Sequence, residues 1–366
     1  MSADVGGPQA VPGQAEAPRP ASQRLAEALS RFCEADGNDW GVPLRAELRR
    51  EAQRPFSWLH WYRVDAPGVS SAIVVKAARG ASASARETAS AEASAAQRLA
   101  AVFAGIPDLG VVAPLRTYPD LLTVITPAIE APNLGALIEA RARWWPSAEA
   151  RRELERGCSL AGRWLAHLHR TCPAPPSWTL DTLRDDLALR VRLLQEFPRT
   201  YGMSAGLARR IEHWIDARLA GGSPTDLACS ETHRDYSPGN MLYDGQSLRV
   251  LDFGTLRPAP RLLDVTRFLH QVQLLGVKPR YRPATRRALQ DAFASGYGDA
   301  ALLASPLVPV FMLRHDLSHW LGAARRVKRR GSVTSAVLCR FHACTIGRRL
   351  SRAAHNLPSR EAPPGT

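Results

Sequence analysis

His233-Arg234-Asp235-Tyr236-Ser237-Pro238-Gly239-Asn240 and, twelve residues further on, Asp252-Phe253-Gly254 decide how this chain folds. Between them, Met241-Leu242-Tyr243 and Leu248-Arg249-Val250-Leu251 have strand character, and Asp244-Gly245 is a hairpin turn signal. A hairpin there returns Asp252 to the side of Asp235 and Asn240. Two carboxylates and an amide oxygen, all hard donors, then meet at one place. Taken singly, either stretch reads equally well as an ordinary turn. Together, with a fixed five-residue step from Asp235 to Asn240, they point to a site.

Working outward, the texture of the chain changes near Pro127. Before it, Leu44 to Ala52, Trp58 to Val64 and Ser71 to Ala77 are short β-type segments separated by turn-like stretches. A helix from Ala85 to Phe103 and two more strands, Val111 to Thr117 and Leu121 to Thr126, complete a β-β-β-α-β-β order with the helix laid on a small sheet. A leading helix, Gln23 to Phe32, is expected to be capped by Ser22. After Pro127, helical periods dominate at Ser147 to Arg170, Leu180 to Phe197, Ser204 to Leu219, Arg286 to Tyr297 and Val308 to Arg330. The expected class is α+β, with an N-terminal lobe over 21–130 and a larger helical lobe over 131–356. Residues 1–20 and 357–366, rich in Gly, Pro and Ala, are expected to lack fixed structure.

Lysine occurs only three times, and one copy, Lys76, ends the apolar strand Ile73-Val74-Val75-Lys76. A compact cation there can reach a polyphosphate if an acid positions it. Glu92 is the preferred partner over Glu87, because Ala96, Leu99 and Phe103 continue its row as an apolar stripe. Between the first two strands stands Gln53-Arg54-Pro55-Phe56-Ser57 in place of a glycine-rich phosphate loop. The Ser57 hydroxyl and nearby amides are either phosphate contacts or parts of a plain turn. Asp264 lies at a helix start, with a capping role as open as a direct one. His167 and His169 face different sides of their helix and form no metal pair, and His169 is expected near the segment around Asp235.

The chain has 366 residues, 45% of them hydrophobic and 22% charged, which excludes disorder of the whole and allows a large core. Its formal charge of +14 comes mostly from arginine. No aromatic interleaving or nucleic-acid motif accompanies that charge, so a nucleic-acid partner is not expected. The run Arg325 to Arg330 reads as a solvated helix face. No stretch has the ~18 apolar residues that span a bilayer, no signal pattern opens the chain, and six cysteines show no C-x-x-C spacing. A cytoplasmic chain with reduced cysteines, and no more than peripheral membrane contact, is the expectation.

These residues resemble the aminoglycoside phosphotransferase and choline kinase-like family, over about residues 44 to 320, including its lipopolysaccharide-core and sugar kinase-like members. The resemblance rests on the lysine strand, the glutamate helix, His233-Arg234-Asp235 through Asn240, Asp252-Phe253-Gly254 and Asp264. It implies a protein kinase-like two-lobe fold with ATP or GTP bound at a hinge near Thr126 to Ala131. It also implies Asp235 as catalytic base, Asn240 and Asp252 as Mg²⁺ ligands, and Lys76 and Glu92 as nucleotide-binding residues. Family members usually carry glycine where this chain has Arg234, an arginine more typical of protein kinases. A eukaryotic-like protein kinase and a nucleotide-binding pseudokinase scaffold are the competing readings. Against the first stand Ser237 where protein kinases place lysine, and the short step from Gly254 to Asp264, which has no room for a long activation segment. Against the second stands the presence of the lysine, the catalytic aspartate and the metal aspartate together. The helices expected to form the acceptor pocket are rich in arginine and poor in acids, which favours a neutral or anionic acceptor over a polycationic one.

Overall fold

The computed structural model describes residues 20–34, 38–54, 57–80 and 83–355. The expected structureless ends lie outside these residues, apart from Pro20, and so do Pro55 and Phe56 of the first turn. The described chain forms two compact units, one from residues up to 93 with 114–128, the other from 94–113 with 129 onward.

In the first unit, helix α1 (Ala21–Cys33) precedes β1 (Arg45–Gln53), β2 (Ser57–Ala66) and β3 (Val69–Ala78). Helix α1 starts one residue before Ser22, after a Pro20 that gives no side-chain cap. The buried Arg24 ties this end down instead, donating to the carbonyls of Leu121 (3.1 Å) and Ala78 (2.5 Å). After α2 (Ala83–Val102) and β4 (Leu109–Val111) come β5 (Arg116–Tyr118) and β6 (Thr123–Pro127). The sheet is antiparallel in the order β1-β2-β3-β6-β5. Side chains alternate along β3, so Ile73, Val75 and Ala77 share one face, fully buried in a core with Leu25, Ala28 and Phe32 of α1. Lys76 therefore points to the opposite face.

Two expectations change here. The strand expected over Val111 to Thr117 is two strands, because Pro114 interrupts it without an N–H to donate. Its first part, β4, belongs to the second unit. The stripe Ala96, Leu99 and Phe103 was expected on the small sheet. These residues are buried in the core of the second unit, where Phe103 stacks on Trp164 with ring centroids 4.6 Å apart.

The second unit continues with α3 (Leu134–Arg141), α4 (Ala148–Thr171), α5 (Leu180–Gln195), α6 (Ala205–Leu219), β7 (Cys229–Thr232), β8 (Met241–Tyr243), β9 (Leu248–Val250) and β10 (Arg257–Pro260). It closes with α7 (Leu262–Leu274), α8 (Pro283–Tyr297), α9 (Ala300–Leu303), α10 (Val308–Arg330) and α11 (Val333–His355). Ser147, Thr179 and Ser204 start α4, α5 and α6 by accepting backbone N–H groups of the first turn. Gly331, at φ 60°, ends α10 after its exposed run of cations. Strand β9 pairs with β8 as the expected hairpin and with β4 in parallel. Helices α4 and α8 touch backbone to backbone: a Cβ on Gly162 would lie 2.1 Å from the Phe293 carbonyl, and one on Gly296 2.1 Å from that of Ser159. Only glycine allows this approach. All six cysteines are free.

Beneath α7 lies a buried polar cluster. Asp316, fully buried, accepts from His270 (3.1 Å) and lies 3.3 Å from His342 Nδ1 and 3.1 Å from Arg349. Burial pushes its carboxyl up, but the hydrogen bond from His270, the close approach of His342 and the Arg349 charge overcome this and hold it well below the carboxylate range. Burial lowers His169, His270 and His315, and brings His319 down to about 3. Such groups bind protons in the unfolded chain before they do so in the folded one. Their stabilisation is complete above about pH 6.5 and is lost as pH falls below it. The midpoint of urea unfolding should therefore drop between pH 7.5 and pH 5.5, with stability falling by on the order of 1 kcal/mol per pH unit.

Candidate active site

The site in the second unit is built on one turn. The chain leaves β7 at Thr232 and turns through Arg234, whose φ of 65° is left-handed, an uncommon state for a side-chain-bearing residue. Asp264, in the first turn of α7 and fully buried, holds the turn in place. Its two carboxylate oxygens accept the backbone N–H groups of His233 (2.6 Å) and Arg234 (2.7 Å). The role of Asp264 is thus to bind the turn's backbone, and His169 Nε2 lies 3.7 Å from it. The His233 ring lies 3.0 Å from the Leu251 carbonyl and 5.2 Å from the Phe253 ring, while Thr255 donates to the His233 carbonyl (2.7 Å). Tyr236 donates to the Ala161 carbonyl (2.7 Å) with its ring 5.5 Å from Trp164. The His-Arg-Asp and Asp-Phe-Gly segments are thereby fixed to each other and to the core.

Asn240 donates its amide Nδ2 to the Asp235 carbonyl (3.0 Å) and carboxylate Oδ2 (3.2 Å), which leaves Oδ1 as its acceptor atom. The Asn240 carbonyl accepts from Leu251 N–H (3.1 Å), one residue before Asp252. Asp252 is exposed and has a left-handed φ of 74°. The hairpin turn between them is built as its sequence signals: Asp244 Oδ1 accepts from Gln246 and Ser247 (2.8 and 2.6 Å), and Gly245 takes φ 94°. Two oxygen donors at the ends of this hairpin suit a small hard cation. The other oxygen of Asp235, Oδ1, accepts from Arg267 at 2.7 Å (Nη2) and 3.2 Å (Nε).

In the first unit, Lys76 Nζ is 2.7 Å from Glu92 Oε1 on α2, while Glu87 is exposed. Ser57 begins β2 as a buried residue opposite Ala78. The sequence reading missed Arg267, although a signal existed. It follows Asp264 by three residues, a helical step that places both on one face. Beside the turn, a cavity of about 380 Å³ is lined by Ser237, Pro238 and Gly239 with Asn133, Glu139 and Gln271.

The Phosphotransferase enzyme family, compared as a sequence profile, matches residues 53–306. The chain belongs to this family. The phosphotransferase also shares its fold with solved kinases. A choline/ethanolamine kinase family protein from Mesorhizobium loti is 15% identical, aligning over 92% of this chain and 96% of its own with a TM-score of 0.54. Choline kinase from Cryptosporidium parvum is 12% identical over 90% and 97%, with a TM-score of 0.55. A thermostable mutant of an aminoglycoside phosphotransferase is 15% identical over 88% and 98%, with a TM-score of 0.50. Curated protein sequences gave no match. The phosphotransferase therefore has the α+β, protein kinase-like fold that its motifs imply. Among its described residues no helix is long and apolar enough to cross a membrane.

Asp264→Ala would leave the buried N–H of His233 and the part-buried N–H of Arg234 without acceptors, and it should destabilise the phosphotransferase by about 3 kcal/mol in urea titration. Asp264→Asn, which keeps one carbonyl acceptor, should lose less. Equal stability of the alanine variant and wild type would remove this anchoring role.

Proposed function

We propose that this phosphotransferase moves the terminal phosphate of ATP or GTP to a hydroxyl of a small molecule or glycan, with Mg²⁺ as cofactor. The observation that carries the reading is the contact of Asp235 with Asn240 inside a turn that Asp264 holds rigid. Phosphoryl transfer asks for an acceptor oxygen held in line and for charge neutralisation. In this reading Asp235 orients the acceptor hydroxyl and takes its proton. Arg267 holds Oδ1 of that carboxylate through two N–H groups, and together with Asn240 on Oδ2 it fixes the orientation of the carboxylate.

Asn240 Oδ1 and the Asp252 carboxylate are the residues that would hold magnesium. A bound ion would supply neutralisation of the charge spread over the phosphates. Lys76, oriented by Glu92 at 2.7 Å, would pair with the nucleotide phosphates. The Ser57 hydroxyl and the segment Thr126 to Ala131 would complete the nucleotide site. A protein acceptor is disfavoured by the chain itself. Helix α7 begins at Leu262, eight residues after Gly254, and the interval is largely taken by β10.

The test is transfer from labelled ATP or GTP, with Mg²⁺, to a panel of sugars, amino alcohols, aminoglycosides and a protein mixture. Asp235→Ala should bind nucleotide like wild type and lose about 10²–10⁴-fold in turnover. Retained turnover would take Asp235 out of this role. Asp252→Ala should lose magnesium-dependent transfer, and Lys76→Ala should raise the KM for nucleotide more than it lowers kcat. Nucleotide binding by wild type without any transfer would favour the scaffold reading, and labelling of proteins alone the protein-kinase one.

A further inference from the structure

Arg234 directly precedes Asp235 and holds a left-handed φ. Its backbone N–H is bound by Asp264, yet its half-buried guanidinium makes no hydrogen bond or ion pair to any described residue. Five N–H donors are thus left unused on the residue that precedes the proposed catalytic aspartate. Arg257, exposed on β10, also carries a guanidinium without a partner among the described residues.

The neighbourhood is crowded with like charge: Arg257 pairs in register with Thr232, two residues before Arg234, and His315, next to Arg314, lies 3.0 Å from the carbonyl of Leu263, beside the Asp264 that binds the turn. Asp186 on α5 lies 2.5 Å from Arg190 and 2.7 Å from Arg314 of α10, so one carboxylate is shared by two guanidinium groups. Arg314 is buried, with its guanidinium 5.6 Å from the Trp178 ring centroid. Burial, then the Arg190 charge, pushes Arg314 down to about 10, and the Arg234 charge adds to that. Arg234 is lowered by burial and by Arg257 and Arg190, against the pull of Asp264 and Asp186. A guanidinium is too basic for such lowering to discharge it at neutral pH. Both carboxylates within reach are already engaged, Asp264 by the turn and Asp186 by its two arginines. The cluster therefore carries an uncompensated positive charge.

Guanidinium groups match phosphate, sulfate and carboxylate oxygens with paired N–H donors, and partial burial strengthens such contacts. Helices α5 and α10, which carry Arg190 and Arg314, are among those expected to form the acceptor pocket. We propose that Arg234, Arg257, Arg190 and Arg314 form an anion subsite, and that the acceptor is a molecule that already bears a phosphate, sulfate or carboxylate. The proposal rests on the reading of Asp235 as the residue that receives the acceptor hydroxyl.

The test is calorimetric titration of sodium phosphate and sodium sulfate, against sodium chloride at equal ionic strength, into protein saturated with Mg²⁺ and a non-hydrolysable ATP analogue. Saturable binding is expected, weakened at least about tenfold in Arg234→Gln and Arg257→Gln and partly retained in Arg234→Lys. Arg257 is exposed on its strand, so its variant keeps the test valid if Arg234→Gln folds poorly. Two further arms separate sources of the anion: glucose 6-phosphate against glucose, and phosphatidylglycerol vesicles against phosphatidylcholine. Preference for either anionic member supports the subsite and shows whether the group comes from a soluble metabolite or a lipid headgroup. Anion binding that is absent, or unchanged in both glutamine variants, would overturn it. A wild-type protein that fails to bind the nucleotide analogue in the same instrument would instead sink the phosphotransfer reading.

Discussion

A single buried carboxylate organises the second unit. Asp264 has no access to water, and a charge in that position survives only if hydrogen bonds replace its hydration. Two short bonds from consecutive backbone N–H groups supply them. In return, those bonds hold the chain at Arg234 in a conformation it would not keep alone. Everything downstream inherits this geometry: the carboxylate of Asp235, the amide of Asn240 against it, and the hairpin that returns to Asp252.

Around this anchor, aromatic packing takes over where polar contacts stop. Trp164 is fully buried at the centre, with Phe103, Tyr236 and Phe253 stacked about it at 4.6, 5.5 and 6.3 Å, and its indole N–H donates to the Gly110 carbonyl. Large rings leave few rotamers open, so the turn is held from beneath as well as from α7. Arg267 adds a third restraint from the side, acting on the carboxylate itself rather than on the backbone.

The secondary structure was legible wherever local chemistry decides it. Alternation along Ile73 to Ala77, the Asp244-Gly245 turn and the caps at Ser147 and Ser204 act within a few residues and could be read directly. What the sequence hid depends on partners far along the chain. Nothing near Val111 says that it will pair with Val250, and nothing near Leu99 says which core will take it. Asp264 was visible as a helix-start acid, but its two bonds reach back about thirty residues to the turn. The arginine on Asp235 was half visible, since helical spacing from Asp264 shows which residues share a face and not what that face meets.

The chain passes between its two units three times, at residues 93–94, 113–114 and 128–129. As synthesis proceeds, the stretch from Ala95 to Val111 leaves the ribosome long before Trp164 and Val250, the groups that will cover and pair with it. Its apolar stripe must wait, exposed, for about sixty residues until Trp164 is made, and Val111 for more than a hundred until Val250. Until then the nascent chain carries apolar surface open to water, and because each unit is assembled from separate stretches, neither matures as one continuous fragment.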